Sequence, residues 1–180
     1  MSRAFVKEPD ADSATAELPD RPLSAAPNYV TAQGLATLRA RLKDLQRERA
    51  MLAVAAETIG KQRLLELKRD IRYCSAQIDR AKVVDPATQP RDEVRFGASV
   101  MIRDEHGKEH DFHIVGDDEA DVAAGSISWA SPLAKALTGA KVGDTVMWQR
   151  PAGATAVEIV TISYAMTPEP GRLAVAPGAT

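Results

Sequence analysis

The sequence predicts an α+β protein in which an antiparallel coiled-coil hairpin precedes a small domain built on an antiparallel sheet. Apolar residues recur at alternating steps of three and four over residues 31–82, which is typical of paired helices. A single glycine, Gly60, divides this stretch into two halves. From Val94 onward the apolar period shortens to two, which favours half-buried strands.

The first helix is expected to begin after Thr31, whose hydroxyl can cap it, and to run to about Glu57. Its seam consists of Leu35, Leu38, Leu42, Leu45, Leu52 and Ile59. Arg49 falls on the same seam. Because a buried lone charge is costly, we expect its side chain to lean outward.

The second helix is expected from about Lys61 to Lys82, with Asp85-Pro86 beyond its end. Its seam consists of Leu64, Leu67, Ile71, Cys74, Ile78 and Ala81. Cys74 is the only cysteine, and we interpret it as a small buried apolar residue.

The seams also predict how the two helices pair. If Leu45 faces Ile71 and Leu52 faces Leu64, the turn falls at residues 57–60. Glycine at position 60 suits the left-handed backbone of such a turn.

Five strands and one short helix are expected in the second domain. The strands are predicted at residues 99–103, 111–115, 126–129, 145–149 and 155–163, with turns at 105–108, 141–144 and 151–153. The helix covers residues 133–137, with Ser131 as its N-cap and Pro132 at its first position.

Composition divides the chain further. Residues 1–28 and 165–180 are poor in large apolar groups and are predicted to be disordered, and residues 85–92 form a linker. The folded parts are then a finger at 29–84 and a domain at 93–164. The closed coiled coil favours a monomer. No apolar run approaches the roughly 20 residues that span a membrane, so a cytoplasmic protein is expected.

Several short segments resemble the bacterial Gre factors, the GreA and GreB transcript-cleavage and elongation factors. The segments lie at residues 29–34, 71–73, 83–85, 96–98, 114–121, 127–128, 131–134, 142–144 and 151–153. They follow the family's order over about residues 29–164. Ile71-Arg72-Tyr73 and Pro151-Ala152-Gly153 are more similar to the GreB branch.

The resemblance implies a coiled-coil finger, an FKBP-like C-terminal domain and one main partner, bacterial RNA polymerase. In the family the C-terminal domain docks at the rim of the polymerase secondary channel and the finger enters it. The residues that match the docking motifs are Asp117, Asp118, Glu119, Ser128, Ser131 and Pro132. The same residues can also have a structural role, since aspartates favour turns and Ser131-Pro132 can start a helix. The two roles are compatible.

The finger tip departs from the family pattern. Acids at the tips of cleavage factors help to hold a second Mg²⁺ at the polymerase active centre. Here the acidic tip motif is missing, and the finger is shorter by roughly 14 residues, or about 10 Å along each arm. Glu57 is only a weak candidate tip acid, and the basic neighbours Lys61 and Arg63 favour an ordinary solvated or capping glutamate instead. We therefore expect cleavage stimulation to be weak or absent, with no metal or cofactor of the protein's own.

The finger is basic, with 12 Lys and Arg against 6 Asp and Glu over residues 31–82. Its basic residues could contact the phosphates of an extruded RNA 3′ end or the acidic channel lining, or could be ordinary solvated charges. The candidates are Arg39, Arg41, Lys43, Arg47, Lys68, Arg69 and Arg72.

Two functions remain open. One is a Gre-type factor that modulates elongation and backtracked complexes, and the other is a competitor that inhibits polymerase or antagonises other channel-binding factors. An enzyme is disfavoured, because the sequence has no phosphate-binding glycine loop or nucleophile elbow. The three histidines, His106, His110 and His113, fall on a predicted hairpin and make a poor metal site.

Overall fold

A helical hairpin and a five-stranded sheet form the body of the protein, which confirms the predicted α+β fold. A computed structural model describes residues 18–54 and 58–164, and at residues 53, 54 and 58–60 it describes the backbone alone. The elements are β1 Asn28–Val30, α1 Ala32–Val54, α2 Thr58–Asp79, β2 Ala81–Val83, β3 Ala98–Asp104, β4 Glu109–Val115, β5 Ser126–Ser128, α3 Pro132–Leu137, β6 Thr145–Arg150 and β7 Gly153–Tyr164.

Helix α1 starts as predicted. The hydroxyl of Thr31 accepts the main-chain N–H of Gly34 at 2.9 Å, which satisfies one of the free donors of the first turn. The predicted turn position was wrong, because α2 already begins at Thr58 and includes Gly60. In the predicted pairing, the midpoint in sequence between facing residues is residue 58. For the observed ion pair between Glu48 and Arg63 that midpoint is near residue 56. Residues 55–57, among them the candidate tip acid Glu57, lie outside the described residues.

Three of the described seam residues are buried, one on α1 and two on α2. Leu38 is 4% exposed, and Leu67 and Cys74 are fully buried. This confirms the interpretation of Cys74, and burial raises the pKa of its thiol. Arg49 is exposed, as expected.

A short parallel strand pair closes the base of the hairpin and was not predicted. Strand β1 pairs with β2, in register from Asn28 with Ala81 to Val30 with Val83. Helix α2 consequently stops at Asp79 rather than at Lys82. The buried Asn28 side chain donates to the carbonyl of Gln77 at 2.8 Å and so satisfies a carbonyl of the last helical turn.

Residues 18–27, which composition assigned to a disordered tail, lie along α2 and form neither a helix nor a strand. Polar contacts hold them there, including an ion pair of 2.7 Å between Asp20 and Arg72. Composition missed this segment because it buries little apolar surface. The tails at 1–17 and 165–180 lie outside the described residues.

The second domain is a sheet of order β5-β4-β3-β7-β6. Strand β5 runs parallel to β4, so the sheet is mixed rather than wholly antiparallel as predicted. Two 3₁₀ turns, Asp117–Glu119 and Val122–Ala124, carry the chain between these strands. A parallel neighbour needs such a crossover, which alternation within the strands does not reveal.

Helix α3 covers the core of this domain. The hydroxyl of Ser131 accepts the N–H of Ala134 at 3.2 Å, and Pro132 is the first helical residue, as predicted. The fully buried core side chains include Val94, Val100, Ile102, Leu137, Val157 and Ile159. Within the described residues, neither long helix is apolar enough to traverse a bilayer.

Candidate functional site

The six predicted docking residues come together where the sheet domain meets the base of the finger. Asp117, Asp118 and Glu119 form the 3₁₀ turn that follows β4. The Ser128 hydroxyl at the end of β5 donates to Asp117. The N–H of Ser131 donates to the carbonyl of Ser128 at 2.9 Å, which brings the start of α3 to the same place.

Asp118 binds the finger. Its carboxylate accepts the hydroxyl proton of Tyr73 at 2.8 Å and an amide proton of Gln77 at 2.7 Å. Gln77 is 6% exposed and also donates to the Tyr73 oxygen at 3.2 Å. Burial, together with the hydrogen bond to the Asp118 carboxylate, raises the pKa of Tyr73. This closed network fixes the side of α2 against the sheet domain.

Glu119 binds the start of the finger. It accepts the main-chain N–H of Thr31 at 2.9 Å and the Thr31 hydroxyl proton at 2.5 Å. A carboxylate at the N-terminus of a helix interacts favourably with the helix dipole and with the free N–H groups. Glycines at positions 34 and 116 permit this approach, because a Cβ at Gly34 would overlap the Glu119 carboxylate.

An aromatic cluster completes the joint between finger and sheet. The ring of Tyr29 lies edge-on to Trp129, with centroids 5.0 Å apart, and 6.1 Å from the ring of Phe96. The buried indole N–H of Trp129 has no hydrogen-bond acceptor among the described residues. Such edge-to-face packing adds to the free energy of apolar burial.

The predicted docking residues therefore divide by their contacts. Asp118 and Glu119 face the finger, while the side chains of Asp117 and Pro132 are exposed. Ser128 and Ser131 are half-buried and hold the loop between β5 and α3. Within this six-residue set, the most accessible surface belongs to Asp117 and Pro132.

Sequence reasoning missed the finger residues that donate hydrogen bonds to this turn. They are Thr31, which donates to Glu119, and Tyr73 and Gln77, which donate to Asp118. Tyr73 and Gln77 are 45 and 41 residues away from Asp118 along the chain. One local signal was available, since a tyrosine and a glutamine four residues apart share one face of a helix.

The basic residues of the finger fall into two groups. Arg39, Arg41, Lys43 and Lys68 are exposed. The other three have acidic neighbours: Arg47 with Asp44 at 3.1 Å, Arg69 with Asp70 at 3.2 Å, and Arg72 with Asp20 at 2.7 Å.

Toward the tip, one guanidinium holds two carboxylates. Arg63 binds Glu48 on α1 through two hydrogen bonds of 2.8 and 3.0 Å, and it binds Glu66 at 3.1 Å. The hydrogen bond from Arg63 lowers the pKa of Glu48. Both carboxylates are thus engaged by a cation, which disfavours their use as metal ligands.

His110 and His113 have different contact partners. His110 lies 3.3 Å from Asp104, and His113 lies 3.1 Å from the Ser99 hydroxyl. Over residues 18–54 and 58–164, no three His, Cys, Asp or Glu side chains form a group that could hold a metal ion.

Comparison with known proteins decides the family. The family model described as "Transcription elongation factor, GreA/GreB, C-term" matches residues 89–164. Transcription elongation factor GreA of Acidiphilium cryptum (strain JF-5) is 37% identical over 154 residues, which cover 75% of this chain and 96% of that protein. The chain belongs to the GreA/GreB family of transcription elongation factors.

Members of the GreB branch match as well. Transcription elongation factor GreB of Neisseria meningitidis serogroup B (strain ATCC BAA-335 / MC58) is 42% identical over 106 residues, or 58% of this chain. The chain spans 65% of the length of that GreB protein. A solved structure of GreA/GreB from Nitrosomonas europaea is 26% identical, covers 76% of this chain and 99% of its own, and has a TM-score of 0.38.

Proposed function

We propose that this Gre-family chain binds bacterial RNA polymerase at its secondary channel and modulates elongation without efficiently stimulating transcript cleavage. It acts through the polymerase and needs no cofactor of its own. Any RNA cleavage takes place at the polymerase active centre, with the Mg²⁺ bound there. The observation that carries this proposal is the joint at residues 117–119, where the predicted docking turn also binds the base of the finger.

Docking through this turn would fix the direction of the finger. Asp117 and Pro132 are exposed beside it and are free to contact the polymerase. Asp118 and Glu119 hold α2 and the start of α1. A polymerase contact on Asp117 is therefore only one residue away from groups that position the finger, so docking and finger orientation are mechanically linked.

The finger geometry supports weak or absent cleavage stimulation. Helix α1 has 23 residues, which give an arm of about 35 Å. The match to the Acidiphilium GreA takes up 154 aligned positions but only 75% of the 180 residues here, about 135, so this chain lacks residues that the relative has. The nearest described acids to the tip, Glu48 and Glu66, are bound by Arg63.

A second candidate, a competitor that occupies the channel and inhibits polymerase or excludes other channel factors, is favoured by the same short and basic arm. The two are separated by the rate of nucleotide addition on elongation complexes that are not backtracked. A Gre-type modulator leaves that rate close to the rate without factor, whereas a competitor lowers it as the factor saturates.

Docking is tested by measuring affinity for core RNA polymerase. Asp117→Lys reverses the charge at the exposed part of the turn, and we expect at least about tenfold weaker binding. Glu105→Lys, at the exposed tip of the β3–β4 hairpin, carries the same charge change and should bind like the wild type. Equal affinity of the two variants would contradict docking through Asp117, and no binding of the wild type would overturn the proposed function.

A further inference from the structure

Residues 18–27, here called the strap, lie across the last turns of helix α2 and contact Arg72, Tyr73 and Arg80. Arg72 donates to the carbonyl of Leu18 at 3.4 Å. Asp20 accepts from the guanidinium of Arg72 at 2.7 Å. The guanidinium of Arg21 lies 3.9 Å above the ring of Tyr73. Arg80 donates to the carbonyls of Ser24 and Ala26 at 2.5 and 2.9 Å.

These contacts hold the strap without burying it. No residue of the strap is buried, the Asp20 side chain is 70% exposed, and Leu23 is 41% exposed. A cavity of about 520 Å³ lies between residues 25–28 and residues 79–82. Exposed ion pairs and cation–π contacts each contribute little, and ordering a chain segment is costly. The strap can therefore leave the helix without disturbing the core.

The surface beneath the strap has a definite chemistry. Arg72 and Tyr73 lie in α2 and Arg80 follows its last residue, about 12 Å from Arg72 along the helix direction. All three side chains contact the strap, so they belong to one surface. Two guanidiniums and an aromatic face are the groups with which proteins bind single-stranded nucleic acid, through phosphates and stacked bases. The strap occupies both kinds of site. The Asp20 carboxylate binds Arg72 where a phosphate would bind, and the planar guanidinium of Arg21 lies on the Tyr73 ring where a base would stack.

We propose that the strap is an autoinhibitory segment covering a single-stranded nucleic-acid surface formed by Arg72, Tyr73 and Arg80. Strap and nucleic acid exclude each other at this surface. The proposal requires no polymerase and is tested on the free, full-length protein, so its outcome is independent of the proposed function.

The first test is the affinity for a fluorescein-labelled U12 oligonucleotide, measured by anisotropy at low salt. Arg21→Ala removes a positive charge, which by electrostatics alone would weaken binding. Because it also releases the strap from Tyr73, we expect binding at least about fivefold tighter than wild type. Arg91→Ala removes the same charge from the exposed linker and should bind no more tightly than wild type. If Arg21→Ala gains nothing over Arg91→Ala, or binds no U12, the proposal is overturned.

The second test locates the surface. Adding Arg72→Ala and Arg80→Ala to the Arg21→Ala protein should abolish the gain, and persistence of the gain would place the nucleic acid elsewhere and overturn the proposal. Circular dichroism of each variant verifies that the helices remain.

The third test follows the strap itself. Chymotrypsin can cut after the exposed Leu23, whereas Pro19 blocks the bond after Leu18. U12 should accelerate cleavage after Leu23 in the wild type, because it displaces the strap. Poly-glutamate of the same charge should not. Binding of U12 without faster cleavage, or equal acceleration by poly-glutamate, contradicts a strap that nucleic acid displaces.

Discussion

The carboxylate of Glu119 accepts both the main-chain N–H and the hydroxyl proton of Thr31, at 2.9 and 2.5 Å. The same hydroxyl accepts the N–H of Gly34. A residue of the sheet domain therefore completes the N-terminal cap of the finger's first helix. The two domains are coupled through the start of a helix, a place where charge and hydrogen bonding act together.

Replacing Glu119 by Gln should destabilise the protein by about 1–2 kcal/mol, because the amide loses the charge that complements the helix dipole. Urea unfolding followed by circular dichroism measures this. Glu105→Gln, on an exposed hairpin tip, is the matched control and should stay within about 0.5 kcal/mol of wild type. Equal losses in both variants would mean that the Glu119 charge does not matter.

Replacing Gly34 by Ala tests the close approach to Glu119. Alanine is the better helix former by about 1 kcal/mol, but its Cβ would displace the Glu119 carboxylate. We expect no gain, or a loss, in the wild-type background and a gain of about 1 kcal/mol in the Glu119→Ala background. The change of sign, measured as a double-mutant cycle, is the expected result. An additive cycle would show that the two positions do not interact.

The raised pKa of Tyr73 predicts a pH dependence of stability. Below pH 10.0, the ordinary pKa of tyrosine, the phenol is protonated in both folded and unfolded chains, and its contribution is fully present. As the pH rises further the unfolded chain releases this proton first, so stability falls. Tyr73→Phe should show a shallower loss of unfolding free energy above that pH. Identical slopes for the two proteins would contradict a buried Tyr73 phenol that is hydrogen-bonded to Asp118.

The ion pairs of Arg63 predict a salt-dependent link between the two helices. Arg63→Gln should lower the melting temperature slightly at low ionic strength, and the difference should shrink in about 1 M NaCl, because exposed pairs are screened. Arg47→Gln, which removes a pair within α1, serves as the comparison. A larger effect at Arg47 than at Arg63 would argue against an interhelical role.

Local chemistry predicted the parts of the fold that depend on neighbouring residues. The caps at Thr31 and Ser131 and the β3–β4 hairpin follow from side-chain type and period alone. The turn predicted at Gly60 was wrong, because glycine favours turns without requiring them, and here Gly60 lies within α2. The β1–β2 pair and the strap depend on partners about 50 residues away along the chain, and the apolar period within a segment does not reveal such distant contacts.

The candidate site shows the same division. The resemblance to Gre factors identified the turn at residues 117–119, but its division into an exposed Asp117 and an inward Asp118 was not predictable. That division depends on where Tyr73 and Gln77 lie in three dimensions.

The most direct test of the proposed function is the fate of RNA in backtracked elongation complexes incubated with saturating factor. The 3′-end fragment released and the shortened transcript are measured with Mg²⁺ over time, beside polymerase alone. We predict that the factor binds the complexes and that RNA shortens no faster than with polymerase alone. Strong Mg²⁺-dependent acceleration of cleavage would contradict the account, since it would require an acidic tip on a finger whose Glu48 and Glu66 are held by Arg63.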